Sequence, residues 1–108
     1  MAGSETKLVK ACLDYLRVRG ILAWRNNTGA VGGTYKGRRR FVRFGARGSG
    51  DIFAVLAGGR FLSVECKTGR NKPTADQLAW MESVKASGGT AVVVRSVDDL
   101  HDFIAGTM

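Results

Sequence analysis

The sequence has little of what zinc-binding, disulfide-bonded and membrane proteins need. It contains two cysteines, Cys12 and Cys66, and one histidine, His101. The cysteines form no C-x-x-C pair, which argues against a zinc site, and two cysteines do not make a disulfide framework. No apolar run approaches the roughly 18 residues of a membrane helix, and the first ten residues lack the apolar segment of a signal peptide. We therefore expect a cytoplasmic protein with reduced cysteines.

Acidic residues are also scarce. The chain has 9 of them against 17 lysines and arginines, which gives a formal net charge of +8 and a pI of about 10.2. A small domain this basic usually binds a polyanion, and nucleic acid is the leading candidate. A basic protein without such a partner is the alternative. The length of 108 residues and the 44% hydrophobic content suit a single domain, residues 1–108, with one core.

Turn and cap signals divide the first half of the chain. A helix is predicted from Ser4, a good N-cap, to Gly20, followed by a short strand over residues 21–25. Residues 26–50 hold many glycines and six basic residues but no acid. We expect a short strand at residues 40–44 there and loop elsewhere, and a long loop in a small domain is often functional.

The second half of the chain predicts a hairpin followed by a helix, a strand and a helix. The hairpin spans residues 51–67 and turns at Gly58 and Gly59. Thr74 caps the next helix, residues 90–95 form a buried strand, and Ser96 starts a short terminal helix. The expected fold class is α/β, with a small mixed central sheet flanked by helices.

The hairpin ends carry the strongest functional signal. Glu65 and Lys67 lie two residues apart on one strand and therefore point to the same face. Asp51 begins the partner strand. A two-residue turn would put Asp51 and Glu65 on opposite faces, whereas a three-residue loop at Ala57–Gly59, a bulge or an irregular turn would bring them together.

Two neighbouring carboxylates repel each other unless a cation lies between them. Mg²⁺ or Mn²⁺ suits such a site because both prefer oxygen ligands. Lys67 beside the ion would orient a water molecule or stabilise negative charge in a phosphoryl transition state. The alternative is that Asp51 is a turn residue and that Glu65 and Lys67 form an exposed ion pair.

Two further polar residues have both a structural and a functional interpretation. Glu5 precedes Leu8, Cys12 and Leu16 by three, seven and eleven residues, which puts it on or beside the inward face of the first helix. It also suits the first helical turn, where acids are favoured. Gln77 follows Thr74 at the spacing of a capping box, and it would otherwise reach the metal site or a phosphate.

Residues 48–100 resemble the VRR-NUC domain, the virus-type replication-repair branch of the PD-(D/E)xK phosphodiesterases. The similar segments are the aspartate and E-x-K hairpin, "WRNNTGA" at residues 24–30, "ADQLAW" at 75–80 and "VVVRSVDD" at 92–99. The resemblance extends from about Ser4 to Phe103 and implies a restriction-endonuclease-like core. The chain is similar to the stand-alone form of the domain that phages and bacteria carry.

The resemblance implies a role for each matching residue. Asp51, Glu65 and the backbone carbonyl of Cys66 would bind the metal, and Lys67 would be the catalytic lysine. Gln77 would be the glutamine of the family's helix, and Glu5 its acidic residue on the first helix. The family usually has proline before the aspartate; Gly50 stands there in this chain, and we expect it to loosen the loop.

The basic segment then predicts a DNA-binding surface. Its candidate contacts precede the carboxylates in sequence: Arg25, Asn26, Asn27, Lys36, Arg38, Arg39, Arg40 and Arg43. A solvated basic loop is the alternative for the arginines, and a turn held by its own side chains is the alternative for residues 25–27. Trp24 and Trp80 are interpreted as core residues.

The resulting functional expectation is a Mg²⁺- or Mn²⁺-dependent DNA endonuclease. Substrate shape is the expected basis of selection, as in Holliday junction resolvases, and symmetric cutting of a junction suits a homodimer. The alternatives are a non-catalytic basic DNA-binding module and a flap or nicking nuclease with the same chemistry.

Overall fold

One helix precedes five consecutive strands, and the sixth strand lies between the second and third helices. The computed structural model describes the backbone of residues 2–27 and 29–107 and the side chains of residues 4–27, 36–38 and 45–107. The elements are α1 (Ala2–Val18), β1 (Leu22–Arg25), β2 (Gly29–Tyr35), β3 (Arg38–Phe44), β4 (Ile52–Leu56), β5 (Arg60–Cys66), α2 (Ala75–Ala86), β6 (Thr90–Val94) and α3 (Val97–Thr107). None of these helices has the length and apolar character that a membrane crossing requires.

The four-stranded sheet has the order β1-β4-β5-β6. β1 and β5 run antiparallel to β4, and β6 runs parallel to β5. The start of β4 and the carboxyl ends of the other three strands therefore meet at one end of the sheet, which we call the functional end. This arrangement confirms the expected mixed α/β fold with a small central sheet.

The main core lies between the sheet and the helices α1 and α3. Cys12 and Leu16 from α1 and Leu100 from α3 are fully buried there. They pack with alternate residues of the strands: Ile52, Ala54, Leu62, Val64 and Cys66. The residues between these, such as Ser63 and Glu65, belong to the opposite face, on which α2 packs.

The loop between β4 and β5 has three residues, Ala57–Gly59. Leu56 is the partner of Arg60, and the register continues to Ile52 opposite Val64. Gly58 and Gly59 have φ values of 83° and 82°, which residues with a side chain rarely adopt. The loop has the three residues predicted. The regular pairing ends at Ile52, and Asp51 directly precedes it next to the end of β5.

The strand expected at residues 40–44 is confirmed and lies within β3. The loop expected over the rest of residues 26–50 is wrong, because most of this segment is a second hairpin. β2 and β3 form a two-stranded sheet of their own, joined by Lys36 and Gly37. Both residues have positive φ, 51° and 77°, as a two-residue hairpin turn requires. The sequence did not predict β2 because the strand contains glycines, which are depleted in strands and give no apolar alternation.

Two smaller expectations also need correction. The first helix begins at Ala2 and not at Ser4. Gly50 does not loosen its loop, because it is buried directly against β5. A Cβ atom at this position would clash with Ser63 Oγ and lie 2.8 Å from the carbonyl oxygen of Val64.

Gly50→Ala should destabilise the protein by about 1–3 kcal/mol, because β5 cannot move away from the added methyl group without disturbing the sheet. Gly106→Ala in α3 is the matched control, since a Cβ atom there has no neighbour within 4 Å. Urea unfolding would measure both. Equal midpoints for Gly50→Ala and the wild type would contradict the close approach.

Candidate active site

Asp51 is held at the functional end by its own backbone and by its carboxylate. Its amide donates to the carbonyl oxygen of Val64 at 2.8 Å. Its Oδ2 accepts a hydrogen bond of 2.8 Å from the amide of Cys66. The bond from the Asp51 amide does not follow the regular hydrogen-bond pattern of β4 and β5. In the second bond, the Asp51 side chain replaces a backbone carbonyl as the acceptor for β5, beyond the end of β4. Asp51 is therefore not a free turn residue.

Glu65 and Lys67 share one face of β5, as the alternation predicted. Glu65 is 4% exposed and Lys67 is 8% exposed, so they do not form an exposed ion pair. Lys67 Nζ lies 3.9 Å from Glu65 Oε1. The structure thus brings Asp51, Glu65 and Lys67 together, in a setting where charges interact more strongly than in water.

The Glu65 carboxyl is strongly perturbed. Burial and the charge of Asp51 raise its pKa from 4.5 to about 8, against the opposing effect of Lys67. A side-chain hydrogen bond with Asp51 and the charge of Glu5 act in the same direction as burial. Glu5 on α1 is therefore close enough to influence the site, as predicted from its position on the inward face of the first helix.

Gln77 both caps α2, as the sequence suggested, and contacts Glu65. Thr74 and Gln77 form a reciprocal capping box at the start of α2, in which the Thr74 amide donates to Gln77 Oε1 at 2.8 Å. Gln77 Nε2 donates to Glu65 Oε1 at 3.0 Å. Because the cap occupies the oxygen of the Gln77 amide, its NH₂ group is oriented towards the carboxylate.

Cys66 contributes its backbone to the functional end and its side chain to the core. The thiol is fully buried beside Cys12, and this contact and burial raise the pKa of Cys66. The N–H and C=O of a strand residue point to the same side. Since the Cys66 amide faces Asp51, its carbonyl lies on the same edge of β5. Both cysteines are free thiols.

Asn26 holds the segment that precedes Asp51. Its Nδ2 donates to Ser49 Oγ at 2.8 Å and to the carbonyl oxygen of Gly50 at 2.9 Å, and its backbone amide donates to the carbonyl of Asp51. Gly48 packs against the first turn of α2, where an added Cβ atom would lie 2.9 Å from the Gln77 amide. These contacts favour the interpretation of Asn26 as a residue that satisfies the turn.

The other predicted DNA contacts are only partly described. Arg25 at the end of β1 and Asn27 after it are exposed, as are Lys36 and Arg38 at the tip of the second hairpin. The side chains of Arg39, Arg40 and Arg43 lie outside the described residues. Arg25 is the predicted contact that β1 brings directly to the functional end.

Sequence reasoning missed three cations that follow the strands ending at the functional end. Arg95 follows β6, and Arg70 and Lys72 lie in the segment after Lys67; all three are exposed. Arg95 Nη1 donates to the carbonyl oxygen of Gly69 at 3.1 Å and so braces that segment. A prediction that β5 and β6 pair in parallel would have indicated these residues, because parallel pairing brings the carboxyl ends of both strands to the same end of the sheet.

The donor set fits a hard divalent cation. Within the described part of the chain, no group of three or more His, Cys, Asp or Glu side chains is placed to hold a metal ion. The available donors are the carboxylates of Asp51 and Glu65 and the carbonyl of Cys66, all of them oxygens. Oxygen donors suit Mg²⁺ or Mn²⁺. Burial and the charge of Asp51 raise the pKa of Glu65 despite the nearby Lys67, so a further cation would favour the ionised carboxylate.

In EDTA, Glu65 should make the protein less stable as pH rises. Between pH 4.5 and about 8 the folded state keeps a proton that the unfolded state has lost, so the contribution of Glu65 falls by up to about 1.4 kcal/mol per pH unit. Glu65→Gln lacks this titration. The free-energy difference between wild type and Glu65→Gln, from urea unfolding at pH 5 to 9, should follow this slope up to about pH 8 and level off above it. A constant difference would contradict the raised pKa.

Comparison with known proteins identifies the fold. No family profile matches the sequence, and no curated protein matches it. A solved structure described as "VRR_NUC domain" superposes with a TM-score of 0.66, covering 94% of this chain and 95% of that chain at 23% sequence identity. This match agrees with the observed sheet order and with the resemblance of the sequence motifs. The chain therefore has the fold of a VRR-NUC domain.

Proposed function

We propose that this protein is a Mg²⁺- or Mn²⁺-dependent endonuclease that hydrolyses phosphodiester bonds in DNA. The observation that carries the proposal is the meeting of Asp51, Glu65 and Lys67 at one end of the sheet. A chain with a net charge of +8 has little reason to bury a carboxylate beside a second one if it only binds phosphate. The VRR-NUC fold is consistent with this chemistry.

Asp51, Glu65 and the Cys66 carbonyl would hold the metal ion. Such an ion supplies Lewis-acid stabilisation of the phosphoryl oxygens and lowers the pKa of a bound water. The protein's own contribution is to keep the ligands in place. Gly50 seats Asp51 against β5, and Gln77 orients the Glu65 carboxylate.

Lys67 would supply the positive charge of the reaction centre. Its ammonium group lies 3.9 Å from Glu65 and is mostly shielded from water. In this position it would orient the attacking water or stabilise the negative charge that develops on the phosphoryl oxygens. Glu5 adds negative charge nearby, which favours the binding of a cation.

The cations around the functional end would bind the DNA backbone. Arg25 lies on the β4 side of the carboxylates, and Arg95 lies on the β6 side with Arg70 and Lys72. Cations on both sides suit a strand that crosses the end of the sheet, with the scissile phosphate over Asp51 and Glu65. Because phosphate contacts dominate, binding should weaken steeply with salt.

The substrate is expected to be recognised by shape, and branched DNA such as a four-way junction is our first candidate. Symmetric cutting of a junction would suit a homodimer of single-domain chains, residues 1–108. A flap or nicking nuclease would use the same site on another substrate. A non-catalytic DNA-binding module would rely on the charge alone.

Purified protein should cleave labelled four-way junction DNA in Mg²⁺ or Mn²⁺ and not in EDTA. Lys67→Ala should lower the rate by about 10²-fold or more, because it removes positive charge from the reaction centre. Lys85→Ala is the matched control, since Lys85 lies on the exposed side of α2 and pairs with Glu82 at 4.0 Å. Gel analysis of junction, flap and linear duplex would measure both rates.

The cleavage pattern separates the alternatives. Paired symmetric cuts in the junction would support a resolvase, and cuts confined to the flap would support a flap nuclease. Tight, salt-sensitive binding without product in either metal would contradict the proposal and favour a binding module. Equal rates for Lys67→Ala and Lys85→Ala would contradict the role of Lys67.

A further inference from the structure

The sheet face that carries Glu65 continues into an aromatic row. Phe53 of β4 stacks on Trp80 of α2, with ring centroids 5.7 Å apart and an interplanar angle of 25°. Trp80 Nε1 donates to Ser63 Oγ at 2.9 Å, and Trp80 is half-buried on this face and does not belong to the closed core. Phe61 packs against Phe53 at 5.0 Å. The middle of this row is thus fixed by packing and by a hydrogen bond.

Trp24 ends the row and is not a core residue, contrary to the expectation from sequence. It is 42% exposed although it is one of the largest apolar side chains. Its ring meets Phe53 edge to face at a centroid distance of 6.3 Å. Trp24 is therefore supported on one side by a fixed aromatic ring while much of its own surface faces solvent.

The register gives the distance from Trp24 to the carboxylates. Trp24 pairs with Phe53, which pairs with Ser63, and Glu65 lies two residues further along β5. Two strand spacings of about 4.8 Å and two residues of about 3.4 Å put the Cα atoms of Trp24 and Glu65 about 12 Å apart. A stacked strand advances about 3.4 Å per nucleotide, so this distance corresponds to about four nucleotides or fewer.

The charge around Trp24 favours a polyanion over a second copy of the chain. Arg25 follows it directly and is exposed, and no acidic residue occurs between Asp14 and Asp51. A twofold contact through this surface would bring like charges together. An exposed aromatic ring on a basic protein is the combination with which proteins bind unpaired nucleic acid strands.

We propose that Trp24 is a stacking platform for an unpaired base, and that it makes the protein prefer DNA with unpaired nucleotides near the cut. This inference rests on the proposed nuclease function, because it takes the scissile phosphate to lie at Asp51 and Glu65. Bases in an intact duplex are stacked on each other and cannot reach the ring. Branch points, flaps and single strands expose bases that can.

Fluorescence anisotropy in EDTA tests the proposal without cleavage. The probes are a labelled ten-nucleotide single strand and the fully paired duplex of the same sequence. Trp24→Ala should weaken single-strand binding roughly tenfold, as expected for the loss of one stacked base, and change duplex binding less than about twofold. Trp24→Tyr should retain most of the affinity, because tyrosine keeps an aromatic face.

Leu22→Ala is the matched control. Leu22 is 66% exposed on the same face of β1, two residues further from the functional end. Its truncation should leave both affinities unchanged. Thermal unfolding of each variant would check that the fold is intact.

Three results would overturn the proposal. Equal losses of single-strand and duplex binding in Trp24→Ala would mean that the ring does not select unpaired bases, and unchanged binding would mean that it does not contact DNA. A lower mass of Trp24→Ala in light scattering would assign the surface to a subunit contact. Failure of the nuclease proposal is seen separately, as absence of metal-dependent cleavage by the wild type.

Discussion

The repulsion between Asp51 and Glu65 is the constraint on which the arrangement of the functional end depends. Both carboxylates are held by the protein, Asp51 by the Cys66 amide and Glu65 by the Gln77 side chain. Burial of Glu65 beside Asp51 raises its pKa to about 8, so the pair is costly to ionise at neutral pH. Holding such a pair together costs stability, and the divalent cation that we propose would offset that cost.

One face of the sheet forms the apolar core, and the other carries the candidate active site. The face towards α1 and α3 is a closed apolar core in which Leu16, Ile52 and Leu100 are fully buried. The face towards α2 carries Glu65, Lys67 and the aromatic row, and much of it is only partly covered. β5 belongs to both, because its alternating side chains enter the core on one side and the site on the other. Its register therefore determines both packing and chemistry.

Local rules predicted the hairpin that builds the site. The E-x-K spacing placed Glu65 and Lys67 on one face, and the three-residue loop was predicted correctly. The irregular pairing at Asp51 completes the approach of its carboxyl to that of Glu65. The same rules failed for the second hairpin, because three glycines in β2 removed its apolar pattern. Arg95 was missed because its place beside Lys67 depends on the parallel pairing of β5 and β6. Trp24 was assigned to the core because its residue type does not reveal that β1 is an edge strand.

Thermal unfolding with and without Mn²⁺, at a pH near 8, tests the central claim most directly. If Asp51 and Glu65 form a cation site, Mn²⁺ should raise the melting temperature of the wild type in proportion to the logarithm of its concentration above Kd. Asp51→Asn keeps an oxygen that can accept from the Cys66 amide but removes the charge, so its shift should be small. An equal shift in both proteins, or none in the wild type, would contradict the claim that this carboxylate pair binds a metal ion.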